Sequence, residues 1–250
     1  MSGHSHWSGI KYKKALLDAK RGKLWSKIAR MIIVAAKTGG GDPSANLTLR
    51  YAIDKAKAAN MPKDTIEKAV KKGTGQLGQI NYEEVIYEGY APGGIAMLLE
   101  GLTDNRSRTA PEIKKIFERR GGSLGASGCV GWMFSKKGFL SIKASAVPED
   151  QLMEIALSAG ADDMQNTGEF YEITCAPAAF DQLKNTLQQR QIPTEAAELA
   201  MIPQTRVPIT DLESARKILA LVNDFQDHDD IQEVYANFDI PDELLKKIED

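Results

Sequence analysis

The chain has 250 residues, 42% of them hydrophobic, and a formal net charge of -2. That length and composition allow two or three modest cores, and the longest apolar run, Met31 to Ala36, is far too short to cross a bilayer. Two distant cysteines and three histidines leave little material for a disulfide framework, a metal centre or histidine-based catalysis, so no metal, no other cofactor and no enzymatic activity are expected.

The net charge conceals a division. Residues 1–72 carry 16 Lys and Arg against 5 Asp and Glu, which leaves 16 against 29 for the rest. A concentrated positive field steers toward polyanions, while the acidic remainder keeps the chain soluble and discourages binding elsewhere. The start, Met1-Ser2-Gly3-His4, leads into no apolar stretch, so no secretory signal and a cytoplasmic location are expected.

In chain order, a lysine-rich helical pattern spans residues 10–20, Arg21-Gly22 interrupts it, and Lys23 to Lys37 is the clearest amphipathic segment. Leu24, Ile28, Met31, Ile32 and Ala35 share one face; Lys23, Lys27, Arg30 and Lys37 form a stripe turned away from it. Thr38 to Pro43 cannot continue a helix, and a second helix resumes from Ser44 or Asn46 to Ala59. A third follows Pro62, with Asp64 and Glu67 spaced as a capping box, Lys68, Lys71 and Lys72 on one face and Gly73 as its stop. Short loops between three helices imply a small bundle.

From about residue 80 the pattern changes to α+β. Strands are expected near 83–90, 95–102, 129–134, 138–143, 169–175, 194–202 and 231–238, with helices near 108–120, 148–160, 177–190 and 211–225. Residues 138–202 alone give β-α-β-α-β, nearly a complete split βαβ unit, and the flanking pieces would make another. The expected organisation is a basic helical domain over 1–78, an α+β domain over 79–135 plus 205–240, and a second, inserted α+β domain over 136–204, both of ferredoxin-like type. Cys129 and Cys175 read as reduced residues in buried strands.

Several motifs invite a chemical reading. Gly73-Thr74-Gly75-Gln76-Leu77-Gly78 matches the dinucleotide-binding spacing, yet it follows a helix and leads toward a strand, the reverse of what a pyrophosphate cradle requires; it reads as a helix stop and linker. Gly121-Gly122-Ser123-Leu124-Gly125 reads as a helix-to-strand turn. His4 and His6 have no Cys or carboxylate neighbours to complete a metal shell. In Thr103-Asp104-Asn105-Arg106-Ser107-Arg108-Thr109-Ala110-Pro111-Glu112, Thr109 fits a helix N-cap with Glu112 as its capping-box partner. That leaves Arg106 and Arg108 at a strand end, where they could meet phosphate.

Dense cations interleaved with Trp7, Tyr12 and Trp25 suit nucleic acid, because cations hold phosphates while aromatic rings stack on unpaired bases; Trp25 serves equally well as core. The candidate contacts are Trp7, Lys11, Tyr12, Lys13, Lys14, Lys20, Arg21, Lys23, Lys27, Arg30, Lys37, Lys68, Lys71, Lys72, Arg106 and Arg108.

Five stretches before residue 95 carry a resemblance: Gly3-His4-Ser5-x-Trp7-x-x-Ile10-Lys11, Asp18-Ala19-Lys20-Arg21-Gly22-Lys23, Gly39-Gly40-Gly41-Asp42-Pro43, Ala59-Asn60-Met61-Pro62-Lys63-Asp64-Thr65-Ile66 and Tyr87-Glu88-Gly89-Tyr90-x-Pro92-Gly93-Gly94. With Thr103-Asp104-Asn105-Arg106-x-Arg108-Thr109 they resemble the YebC/PmpR family, which usually has lysine where this chain has His6. The resemblance implies a three-domain cytoplasmic α+β protein acting in gene expression, as a DNA-binding transcriptional regulator or, like other relatives, as a ribosome-associated translation factor that binds ribosomal RNA and relieves stalling at proline stretches. Against the first reading, no helix-turn-helix recognition helix stands out. An enzyme with a site split across the α+β domains is the third reading. No small-molecule substrate or membrane partner is indicated.

Overall fold

Three helices come first in the computed structural model, which describes residues 21–78 and 81–249. Helix α1 is described over Arg21–Gly39, α2 runs Leu47–Ala58 and α3 Lys63–Gly73. The apolar face expected of α1 is the packed one: Ile28, Ile32 and Ala35 are buried with Ile33 and Ala36 against Leu49, Ala52, Ile66 and Ala69, while Leu24 and Met31 pack at the margin. Gly73 lets α3 approach α1 closely, since a Cβ there would lie 2.5 Å from the Ile33 carbonyl oxygen.

Asn46 sets the turn between α1 and α2. Its backbone is extended (φ -119°) and its side-chain oxygen accepts from the Leu49 N–H, capping α2. Its Nδ2 donates to the carbonyls of Ala35 and Gly40, both at 2.8 Å, which ties the end of α1 to the start of α2. The capping box expected at Asp64 and Glu67 does not form. Helix α3 starts two residues earlier, with Pro62 at the cap and no side-chain cap bond, and Glu67 faces Lys63 at 3.6 Å.

Beyond the bundle, strands β1 (Glu83–Ala91) and β2 (Ile95–Thr103) form an antiparallel hairpin in register from Glu83 opposite Thr103 to Ala91 opposite Ile95. Gly93 and Gly94, at φ 81° and 75°, make its turn in backbone space that other residues avoid. Helix α4 (Arg106–Arg119) and the two-residue strand β3 (Ser123–Leu124) follow. Helix α4 buries Ile113 and Phe117 over the sheet, and the Phe117 ring packs tilted against Phe225 of helix α7 (Leu212–Gln226), with centroids 4.6 Å apart. With β9 (Ile231–Ala236) the strand order is β3-β1-β2-β9.

Strand β4 (Phe134–Lys143), helix α5 (Glu149–Ser158), strands β5 (Ala161–Asn166) and β6 (Phe170–Cys175), helix α6 (Phe180–Gln189) and strand β7 (Ala196–Pro203) make the second sheet, in the order β5-β6-β4-β7 with antiparallel neighbours. This is the connectivity of a split βαβ unit. Strand β8 (Val207–Pro208) pairs in parallel with β10 (Phe238–Asp239), and α8 (Asp242–Glu249) closes the described chain.

The class is α+β, with four physical differences from the sequence reading. The strands expected at 129–134 and 138–143 are one strand after a short 3-10 turn at Gly131–Met133; Gly138 does not break it but admits Cys175 and Phe180, whose atoms would lie 2.5 and 2.8 Å from a Cβ. Strand β5 went unread because Ala-Asp-Asp-Met-Gln-Asn has poor strand propensity and sits at a sheet edge. In the first sheet the hairpin strands β1 and β2 are both central, whereas the ferredoxin-like arrangement puts one hairpin strand at an edge. Cys175 is buried in β6, but Cys129 is half-buried in a loop; neither is in a disulfide, and burial pushes the pKa of both thiols up.

By internal packing the described chain divides into two units. One reaches Cys129 and takes in Lys217–Val234; the other comprises Val130–Arg216 and continues from Tyr235. Bundle and first sheet therefore belong to one unit. Among the described residues no helix is long and apolar enough to cross a membrane.

Asn46 generates a prediction. Asn46→Ala should cost about 2 kcal/mol in chemical denaturation, from the lost cap and two carbonyls left without their donor. Asn46→Asp keeps the acceptor for Leu49 and should recover part of that loss.

Candidate nucleic-acid interface

Position on α1 made Lys23, Lys27, Arg30 and Lys37 look like a solvent-facing stripe. Three of the four are engaged within their own unit by the turn between α7 and β9. Lys23 Nζ donates to the Asp227 carbonyl at 3.1 Å, Lys27 Nζ to the Gln226 carbonyl, and Arg30 to the Asp229 carbonyl and, at 2.9 Å, to the Asp230 carboxylate. A residue-by-residue helical projection separates packing from charged faces correctly but cannot see an acceptor some 200 positions away. Lys55 of α2 joins the same contact through Glu233 at 2.5 Å.

Asp230 organises this region. Its side chain is 3% exposed, and four side-chain donors meet its carboxylate. Thr103 and Thr109 hydroxyls lie 3.1 and 2.7 Å from Oδ2, Arg108 Nη2 2.6 Å from the same atom and Arg30 on Oδ1, while the Asp230 N–H donates to His228 Nδ1 at 3.2 Å. Burial raises the pKa of this carboxyl, and the hydrogen bonds from Thr109, Arg108 and Thr103 together outweigh burial and hold it below the usual carboxylate value. His228 is fixed in turn, its Nε2 being 3.0 Å from Glu112 Oε2.

The motif over residues 103–112 is thus largely a carboxylate holder. Helix α4 begins at Arg106 with Asn105 as its cap: Asn105 is extended at φ -153° and accepts from the Arg108 N–H. Thr109, expected as the cap, is a turn inside the helix, its hydroxyl directed to Asp230 and the Asn105 carbonyl, and Glu112 serves His228 instead of a capping box. Arg106 pairs with Glu83 at 2.7 Å and donates to the Glu84 carbonyl, tying α4 to β1. Arg108 divides its guanidinium between Asp104 and Asp230.

Of the other candidate contacts, Lys37 is exposed and donates to Asn81 at 3.0 Å. Lys68 and Lys71 are exposed and Lys72 half-exposed on one face of α3, and no side-chain hydrogen bond or ion pair joins them to another described residue. Trp25 packs at the bundle core with its indole N–H on the Ala59 carbonyl at 3.0 Å, so its ring is a structural element. Trp7, Lys11, Tyr12, Lys13, Lys14 and Lys20 lie outside the described residues, as does the Arg21 side chain. The structure thus gathers Lys23, Arg30 and Arg108 at one cleft, which Lys115 and Arg119 of α4 also line, and leaves the α3 lysines apart. Lys115, Arg119, His228 and Asp230 were not singled out from the sequence, because isolated charges in helices and turns carry no local signal of convergence.

The Asp230 cluster fixes the sign of an acid effect. A carboxyl with a depressed folded pKa contributes stability that is present above its unfolded value, about 4, and is lost as pH falls through the folded value. Asp230→Asn should therefore cost about 3 kcal/mol at pH 7, since it leaves two arginines and two hydroxyls around an uncharged group. The gap between variant and wild type should close as pH drops below about 4, as read by urea midpoints across pH; a constant gap would mean that charge at Asp230 contributes nothing.

The TACO1/YebC protein N-terminal domain matches residues 5–76, and the TACO1/YebC second and third domain matches residues 82–238. Proteins named probable transcriptional regulatory protein are 50% identical in Elusimicrobium minutum, over 99% of both chains, and 51% identical in Dictyoglomus thermophilum, over 99% of this chain and all of the relative. The crystal structure of a conserved hypothetical protein from Aquifex aeolicus, 47% identical, superposes with a TM-score of 0.84 over 95% of this chain and 98% of that one. The chain belongs to the TACO1/YebC family.

Proposed function

We propose that this protein is a nucleic-acid-binding regulator of gene expression, acting in the cytoplasm without catalysis of its own. The carrying observation is the concentration of positive charge before residue 73 together with the lysine face of α3, where Lys68, Lys71 and Lys72 project with no acceptor among the described residues. The plain alternative for that face is a solvated helix end, since Lys71 and Lys72 also complement the α3 dipole. Against it stands the charge imbalance of the whole segment, which a helix dipole does not require. In this reading residues 1–78 grip the phosphate backbone, and the α+β domains, over 79–135 plus 205–240 and over 136–204, present the grip to its target.

The name shared by the relatives, probable transcriptional regulatory protein, favours DNA as the target. One feature of the bundle favours structured RNA, ribosomal RNA included. The connection from α1 to α2 is a glycine-rich loop over residues 40–46, longer than the three- to four-residue turn that sets a recognition helix into a major groove. Backbone and shape contacts suit a cationic surface that lacks base-reading side chains.

Crosslinking in cells followed by sequencing of the attached nucleic acid separates the two: promoter DNA is the expected product of the first reading, ribosomal RNA of the second, and enrichment of neither sinks both. In vitro, contact with about six phosphates should lower affinity by roughly three decades between 50 and 200 mM salt. Charge reversal at Lys68, Lys71 and Lys72 should weaken binding at least tenfold, with stability changed by less than about 1 kcal/mol because the positions are on the surface; unchanged binding would leave α3 as a solvated face.

A further inference from the structure

The bundle closes its own core around Ile28, Ile32, Leu49 and Ile66, and its helices pack on each other more than on the sheet of the same unit. Its junction with the turn after α7 is polar. Lys23, Lys27 and Arg30 donate to the carbonyls of Asp227, Gln226 and Asp229, and Arg30 also meets the Asp230 carboxylate. These acceptors offer what a phosphate backbone offers: several oxygens close together, with negative charge beside them. Lys23 and Arg30 share a cleft of about 580 Å³ with Asp227 and Asp229, so the acidic turn occupies the place a polyanion would take.

We propose that this turn, residues 226–230, is an autoinhibitory contact that nucleic acid must displace before Lys23, Lys27 and Arg30 can hold phosphates; the inference rests on the nucleic-acid reading above. Bonds from partly exposed cations are individually weak and screened by salt, so a ligand presenting several phosphates at once competes with the turn for all three. Asp230 keeps Thr103, Thr109 and Arg108 when Arg30 leaves. Displacement therefore moves the bundle off the turn, parting Lys55 from Glu233 of β9 as well, and leaves the strand pairing of the sheet intact. The α3 lysines lie outside the contact and make the first encounter.

The test uses the full chain carrying Asp227→Asn with Asp229→Asn, beside wild type and a control, Asp150→Asn with Glu154→Gln, that removes the same charge from exposed positions of α5. Two quantities are measured: the acylation rates of Lys23 and Lys27 relative to Lys68, and the affinities for a short RNA duplex, the matching DNA duplex and heparin at about 50 mM salt. Severalfold faster labelling of Lys23 and Lys27, with affinity about tenfold tighter than in the control, is expected. The variant keeps the backbone carbonyl acceptors and removes the negative charge beside them; faster labelling without tighter binding overturns the proposal, and so does unchanged labelling, which would mean that the charge of the turn does not hold the stripe. If heparin alone binds more tightly and neither duplex binds at all, the masking contact stands and the nucleic-acid reading falls. If no polyanion binds wild type or variant, both fall.

Discussion

A single buried carboxylate organises the unit that contains the basic bundle. Asp230 lies at the end of the turn between α7 and β9, where an unpaired charge would cost several kcal/mol. It is tolerated because Thr103 at the end of β2, Thr109 and Arg108 in α4 and Arg30 in α1 all converge on it. The donors come from a strand, a helix of the sheet layer and the bundle, so one charge fixes the relation of the three. The same arrangement fixes the backbone carbonyls that receive Lys23 and Lys27.

The consequence for function is a division of labour among cations that composition alone treats as equal. Arg106 and Arg108 serve the architecture; Lys23, Lys27 and Arg30 stand at a junction between bundle and sheet; Lys68, Lys71 and Lys72 have no described partner. Charge density attracts a polyanion over a distance of about a Debye length, and at that range all of them contribute. At contact range only those whose donors are free, or become free, hold a phosphate.

Much of the fold was legible because its signals are local. The apolar stripe of α1, the glycine and proline breaks around residues 38–43 and 60–62, the mixed pattern of β1 and the apolar run of β2 each follow from local residue type and spacing. The split βαβ order of the second sheet could be anticipated as far as its apolar strands allowed, while the acidic edge strand β5 left no hydrophobic trace. The helix caps at Asn105 and Pro62 were misassigned because more than one nearby residue satisfied the capping pattern, and the choice lay with other partners: Asp230, outside the helix, drew Thr109 away, and Lys63, in the first turn of α3, faces Glu67.

The sequence by itself determined the class of the fold, the charge polarity of the chain and the side of α1 that packs, since all three depend on residue type and short-range spacing. Only the tertiary structure decided what each cation does. The acceptors for Arg30 and Lys27 lie about 200 residues downstream, and nothing in the spacing of α1 encodes them. They became neighbours because α7 returns the chain to the first sheet, and a buried aspartate there requires positive partners.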